Sequence, residues 1–150
     1  QLNYTHSFSE KSVWSTTFNY TRGDGYFENY KVGNPFSLYL MENPVVDGVE
    51  HSSGDFITRE ALGNDYYVIN SDFRHQSQNL NLIAGINLSR YDGDHIGRVL
   101  WNNILGDSYD YGTHHWYQNR GLKHEANAYA RVEILLAERM TAYADLQYRA

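Results

Sequence analysis

The chain of 150 residues contains no cysteine. Disulfide staples, thiol nucleophiles and thiolate metal centres are therefore excluded. Only two prolines, Pro35 and Pro44, occur, so neither a polyproline linker nor a collagen repeat is possible. No apolar run approaches the length of a membrane-crossing helix. Positive charge is scarce: Lys and Arg total 12 against 18 Asp and Glu, a net charge of −6. A basic face for nucleic acid is thus not expected, and nucleic acid is not expected as a partner. No initiator methionine and no charged-then-apolar leader opens the sequence, which starts as if inside a longer polypeptide.

Aromatic residues are what the chain has in excess, at 15%, with 14 tyrosines. The dominant pattern has period two, the signature of a strand with unlike faces. Leu2, Tyr4, His6 and Phe8 alternate with polar residues, and so do Trp14, Thr16, Phe18 and Tyr20. Tyr67, Ile69, Ser71 and Phe73 follow suit. The clearest run is Leu80, Leu82, Ala84, Ile86 and Leu88 against Asn79, Asn81, Ile83, Gly85, Asn87 and Ser89. Ala126, Ala128, Ala130, Val132, Ile134 and Leu136 continue the pattern, followed by Met140, Ala142, Ala144, Leu146 and Tyr148. A helix from Ala126 onward would scatter Arg131 and Glu133 around its apolar stripe, so a strand is the better reading.

The expected fold is all-β: an antiparallel meander of six long strands, about 1–8, 12–22, 65–75, 78–91, 123–136 and 139–150. Short turns and two long loops, 23–63 and 92–121, alternate between them. Gly23-Asp24-Gly25 reads as a strand breaker, Asp92-Gly93-Asp94 as a turn, and Phe56 to Leu62 as a weak helical segment. Strands this long, with short turns at one end and long loops at the other, match a segment of a transmembrane β-barrel. Leu2-to-Tyr148-type apolar positions would then face outer-membrane lipid, and the Asn, Ser, Arg and Glu positions a polar lumen.

Three stretches resemble TonB-dependent outer-membrane receptors of Bacteroides-type bacteria: Phe18-Asn-Tyr-Thr-Arg-Gly-Asp-Gly-Tyr-Phe-Glu-Asn-Tyr-Lys31, Leu88-Ser-Arg-Tyr-Asp-Gly-Asp-His-Ile-Gly97 with Trp101 after it, and Thr141-Ala-Tyr-Ala-Asp-Leu-Gln-Tyr-Arg149. The resemblance implies a barrel of about 22 strands around a plug, of which this chain would supply a part. It implies a transport role without enzyme activity, a bacterial outer-membrane location, and uptake of an iron chelate, haem, cobalamin or glycan. TonB would act through a plug region absent from this chain, and no cofactor is implied. A soluble carbohydrate-binding β-sandwich and an outer-membrane β-barrel enzyme are the rival readings.

Loop 23–63 carries seven carboxylates against Lys31 and Arg59; loop 92–121 carries four against Arg98 and Arg120. Their aromatics offer either mutual packing or a stacking surface for a small-molecule or glycan ligand, with Tyr30, Tyr39, Trp101, Tyr109, Trp116 and Tyr117 as candidates. His95, His114 and His115 are weak metal candidates, because adjacent residues in an extended chain point apart. Counting from Asp92, an EF-hand would need ligands where Ile96 and Asn103 stand, so calcium is rejected. No phosphate loop, nucleophile elbow or zincin motif occurs. As an isolated piece, the chain is expected either to self-associate through its edge strands or to cover its apolar face with a lid of Phe27, Phe36, Tyr39 and Phe56.

Overall fold

The computed structural model describes residues 1–112 and 114–150. Six strands form one antiparallel sheet: β1 (Leu2–Ser9), β2 (Ser12–Pro35), β5 (Ser53–Gln76), β6 (Leu80–Asn102), β7 (His115–Ala137) and β8 (Met140–Arg149), in that spatial order. Each neighbour in space is also the next long strand in sequence. A separate hairpin, β3 (Val45–Val46) with β4 (Val49–Glu50), interrupts the β2–β5 connection, where Asp47 and Gly48 both take positive φ. That is the conformation of a two-residue type I′ turn. The sheet is open: it does not close into a barrel.

The strands are longer than the sequence pattern indicates. The loop expected over 23–63 narrows to 36–52, because β2 runs on to Pro35 and β5 begins at Ser53. The loop expected over 92–121 narrows in the same way, with β6 reaching Asn102 and β7 starting at His115. Phe56 to Leu62 is strand, not helix: Phe56 and Thr58 are buried while Ile57 and Arg59, each following one of them, are not. The glycines that read as breakers are extended, and among the described glycines positive φ is confined to Gly33, Gly48 and Gly106. At Gly23 and Gly63 the role is space. A β-carbon at Gly23 would stand 2.8 Å from Oδ1 of Asn64, and one at Gly63 would stand 3.0 Å from Oδ1 of Asp24. Glycine at these two strand positions marks a close side-chain approach from the next strand.

The chain divides into two compact units. The first comprises residues 1–22, 65–92 and 122–150; the second comprises 23–64 and 93–121.

In the first unit the register sorts every strand onto the same two faces. Leu2 stands opposite Phe18 and His6 opposite Trp14; Ala130 stands opposite Leu146 and Val132 opposite Ala144. Thr16 meets Ser71 at 2.9 Å and Tyr20 stacks on Tyr67 at 5.0 Å, which carries that face from β2 to β5. On the other face the Asn87 side chain donates to Asn70 of β5 at 2.5 Å and accepts from Asn127 of β7 at 3.2 Å. Asn81 donates to Glu133 and Ser89 to Glu125. With the odd positions of β6 and β7 facing each other on the polar side, Leu82 and Val132 share the apolar side.

That apolar side is bare. Leu2, Phe8, Leu146 and Tyr148 are each more than three-fifths exposed. Among the described residues the buried apolar side chains are Phe36, Tyr39, Met41, Phe56 and Val99, and all five belong to the second unit. Of the rings expected as a lid, Phe36 packs on Phe56 at 5.0 Å and Tyr39 on Phe56 at 4.5 Å, within the second unit.

Candidate functional site

The second unit is organised around Asn102, the fully buried amide that ends β6. Its Nδ2 donates to the Asp55 carbonyl at 3.0 Å, and its Oδ1 accepts from the backbone of Ile104 (2.9 Å) and Leu105 (3.1 Å). The Asn102 N–H donates to the Tyr111 hydroxyl, which in turn donates to the Gly106 carbonyl. One side chain thereby satisfies the start of a 3₁₀ turn, Gly106–Ser108, and ties it to β5. Against this turn sits the apolar cluster of Phe36, Tyr39, Met41, Phe56 and Val99, with Trp116 packed on it, its ring 5.2 Å from Tyr39.

Beside the cluster lies a cavity of about 320 Å³ lined by Phe27, Glu60, Leu62, His95 and Tyr117 together with Gly25, Tyr26 and Ala61. All of them belong to the second unit. Tyr117 comes from β7 and Glu60 from β5, and β6 runs between those two strands. The Tyr117 hydroxyl nonetheless donates to Oε2 of Glu60 at 3.5 Å. It reaches because β6 has glycine beneath the ring: a β-carbon at Gly97 would lie 2.4 Å from Cε1 of Tyr117 and 2.6 Å from Cε2 of Trp116. Partial burial of the ring, and then the charge of Glu60, push the Tyr117 phenol above the usual tyrosine range. Phe27 and Leu62 line the same hollow yet stay 56% and 38% exposed, so their apolar surface is held open to solvent.

The six candidate ligand aromatics do not converge on one site. Tyr39 and Trp116 belong to the core cluster, and Tyr117 lines the cavity. Tyr30 is exposed and donates to Oδ2 of Asp55 at 2.8 Å; that bond, above all, raises its phenol pKa. Asp55 also accepts from the N–H of Gly33, a positive-φ position that only glycine fills without strain. Tyr109 packs on Tyr111 at 4.8 Å, and Trp101 is half-buried on β6. Of the histidines, His114 places Nε2 2.5 Å from the Tyr39 carbonyl, which makes that nitrogen the donor. His115 contacts Gln118, and His95 lines the cavity. No group of three His, Cys, Asp or Glu side chains able to hold a metal is gathered among the described residues.

Glu60 and Gly97 were not singled out by pattern. Their roles appear only once β2 and β5 are known to run through their glycines, which places Phe27, Glu60 and Tyr117 within reach of each other.

Charge is unevenly divided. The second unit holds ten carboxylates against four Lys and Arg, the whole of the chain's −6; the first unit balances eight against eight.

No protein-family model, no curated protein and no solved structure matches this chain.

Proposed function

We propose that the chain forms part of the barrel wall of a TonB-dependent outer-membrane receptor, with the first unit in lipid and the second unit carrying ligand-contacting surface. The observation that carries this reading is the apolar face of the first unit: shared by six strands through the β1–β2 and β7–β8 registers and the side-chain contacts between the inner strands, and exposed. A soluble sheet buries such a face against a second layer. The other sheet of this chain is β3 with β4, two residues per strand, too small to cover it. Lipid satisfies the face without any second layer, while the ladder of Asn70, Asn87 and Asn127 suits a watery or plugged interior. Within the first unit β2 contributes eleven residues, 12–22, and β8 ten, near the 9–11 of a tilted crossing.

In this role the protein binds a ligand and lets it pass; no bond is made or broken. Lipid is one partner, a small-molecule or glycan ligand another, and TonB a third, acting through a plug that lies outside this sequence.

The test is fractionation and uptake in cells producing the polypeptide that contains this sequence. Recovery in the outer membrane, with ligand accumulation that disappears when TonB is removed, is the expected result. Recovery in the soluble fraction would overturn the reading.

A further inference from the structure

We infer that the cavity framed by Phe27, Glu60, His95 and Tyr117 binds an organic cation, an ammonium group carried on an apolar body. The inference deepens the receptor reading by naming a ligand class, and rests on it only for the consequence that this cation is cargo.

Three observations converge. The hollow offers apolar and aromatic walls in Phe27, Leu62 and Tyr117, two of which are kept exposed rather than packed away. An aromatic face attracts a cation through its quadrupole, and more strongly where water is partly excluded. Within the same hollow stands one carboxylate, Glu60, held by the Tyr117 hydroxyl. That bond fixes where the carboxylate lies in the hollow, beside the aromatic walls. The nearest guanidinium along β5, Arg59, is engaged elsewhere: it pairs with Glu28 at 2.5 Å and lies over the Tyr26 ring at 4.3 Å. Arg59 on Tyr26 is itself a cation on an aromatic face beside a carboxylate, the same chemistry made within the chain. Finally, the unit around the cavity holds the full −6, a field that raises the local concentration of cations and repels anions.

A neutral sugar would use the aromatic walls but not the field. An anionic chelate would meet both Glu60 and the field unfavourably. The cavity's size, about 320 Å³, suits a compact ligand rather than an oligosaccharide.

The experiment is calorimetric titration of the full chain, folded in detergent micelles, with three probes of similar size: benzyltrimethylammonium, benzenesulfonate and methyl glucoside. The ammonium is expected to bind saturably, one per chain, and the other two not to bind. Glu60→Gln should weaken the ammonium about tenfold, and Phe27→Ala about two- to fivefold, the loss expected for one cation–aromatic contact. Far-ultraviolet circular dichroism checks that each variant retains its strands. Tyr117→Phe, which keeps the ring and frees the carboxylate, should bind the ammonium at least as well as the parent chain. Equal binding of the sulfonate or the glucoside, absence of saturable ammonium binding, or affinity indifferent to both Glu60→Gln and Phe27→Ala would overturn the inference. Outer-membrane fractionation is independent of these titrations: ammonium binding by a chain found in the soluble fraction would remove the receptor reading and leave the site intact.

Discussion

Gly97 lies beneath the ring of Tyr117, so close that a single added methyl would stand 2.4 Å from Cε1. The missing side chain on β6 is what lets a phenol from β7 reach a carboxylate on β5. Gly97→Ala should therefore displace the Tyr117 ring and break its bond to Glu60. Overpacking of this kind costs about 1–3 kcal/mol. Denaturant unfolding in detergent measures the loss, and Gly25→Ala is the control, because a β-carbon there meets nothing within 4 Å. Equal stability of the two variants would refute the assigned role of Gly97.

Asn102 should be the most costly polar residue to truncate. Asn102→Ala leaves the N–H groups of Ile104 and Leu105 without the acceptor they now have, while the Asp55 carbonyl loses one donor and keeps the Asn103 N–H. Orphaned buried groups cost about 1–3 kcal/mol each, so a loss of about 2–4 kcal/mol is expected. Asn103→Ala, an exposed neighbour that accepts one backbone bond from Asp55, should cost less than half as much. Thermal unfolding of the two variants side by side gives the comparison.

Phe36 and Phe56 are both fully buried and meet edge to face. Phe56→Ala should destabilise the second unit by about 3–5 kcal/mol, the usual cost of removing a core aromatic. Hydrogen exchange should then show lost protection at residues near 36–41 and 99–105, with protection over 80–90 retained. Uniform loss along β6 would mean that the two units unfold as one.

Alkali should loosen the second unit. The phenols of Tyr117 and Tyr30 titrate above the ordinary tyrosine value, the first through burial and Glu60, the second through its bond to Asp55. A raised folded-state pKa means that the contribution to stability is complete below the unfolded tyrosine value of about 10, and is lost as pH rises through the folded value. Tyrosinate absorbance should show a late-titrating population that Tyr117→Phe and Tyr30→Phe each reduce. An unchanged titration curve in both variants would contradict the assignment.

The two-faced strands were legible because their evidence is local. Leu80 to Leu88 and Ala126 to Leu136 keep their even positions apolar with Asn, Arg and Glu among the odd ones, so the face of each residue follows from period, and the short turns after β1, β5 and β7 pair those strands with the next. Gly23, which reads as a breaker, and Gly63, which reads as the loop's end, misled for the opposite reason. Whether glycine ends a strand or makes room within it depends on the residue across the ladder, Asn64 or Asp24, which is set by register rather than by neighbours in sequence. The aromatic cluster was hidden in the same way. Tyr39 and Trp116 carry equal weight as ligand contacts or as core until a chain fold brings them to 5.2 Å. Tyr117 was visible as an aromatic, but its carboxylate partner and the glycine that connects them were not.

The claim that the first unit faces lipid on one side and water on the other can be read directly, because a chain without cysteine accepts one thiol at a time. Nitroxide labels at Ile86, Asn87, Arg131 and Val132, placed singly in the chain reconstituted into phospholipid vesicles, sample both faces of β6 and β7. Labels at Ile86 and Val132 should collide readily with oxygen, which concentrates in lipid, and rarely with a water-soluble nickel complex. Labels at Asn87 and Arg131 should do the reverse. Nickel access at all four positions, or shielding of Ile86 and Val132 from both relaxing agents as in a packed protein core, would contradict a membrane-facing sheet.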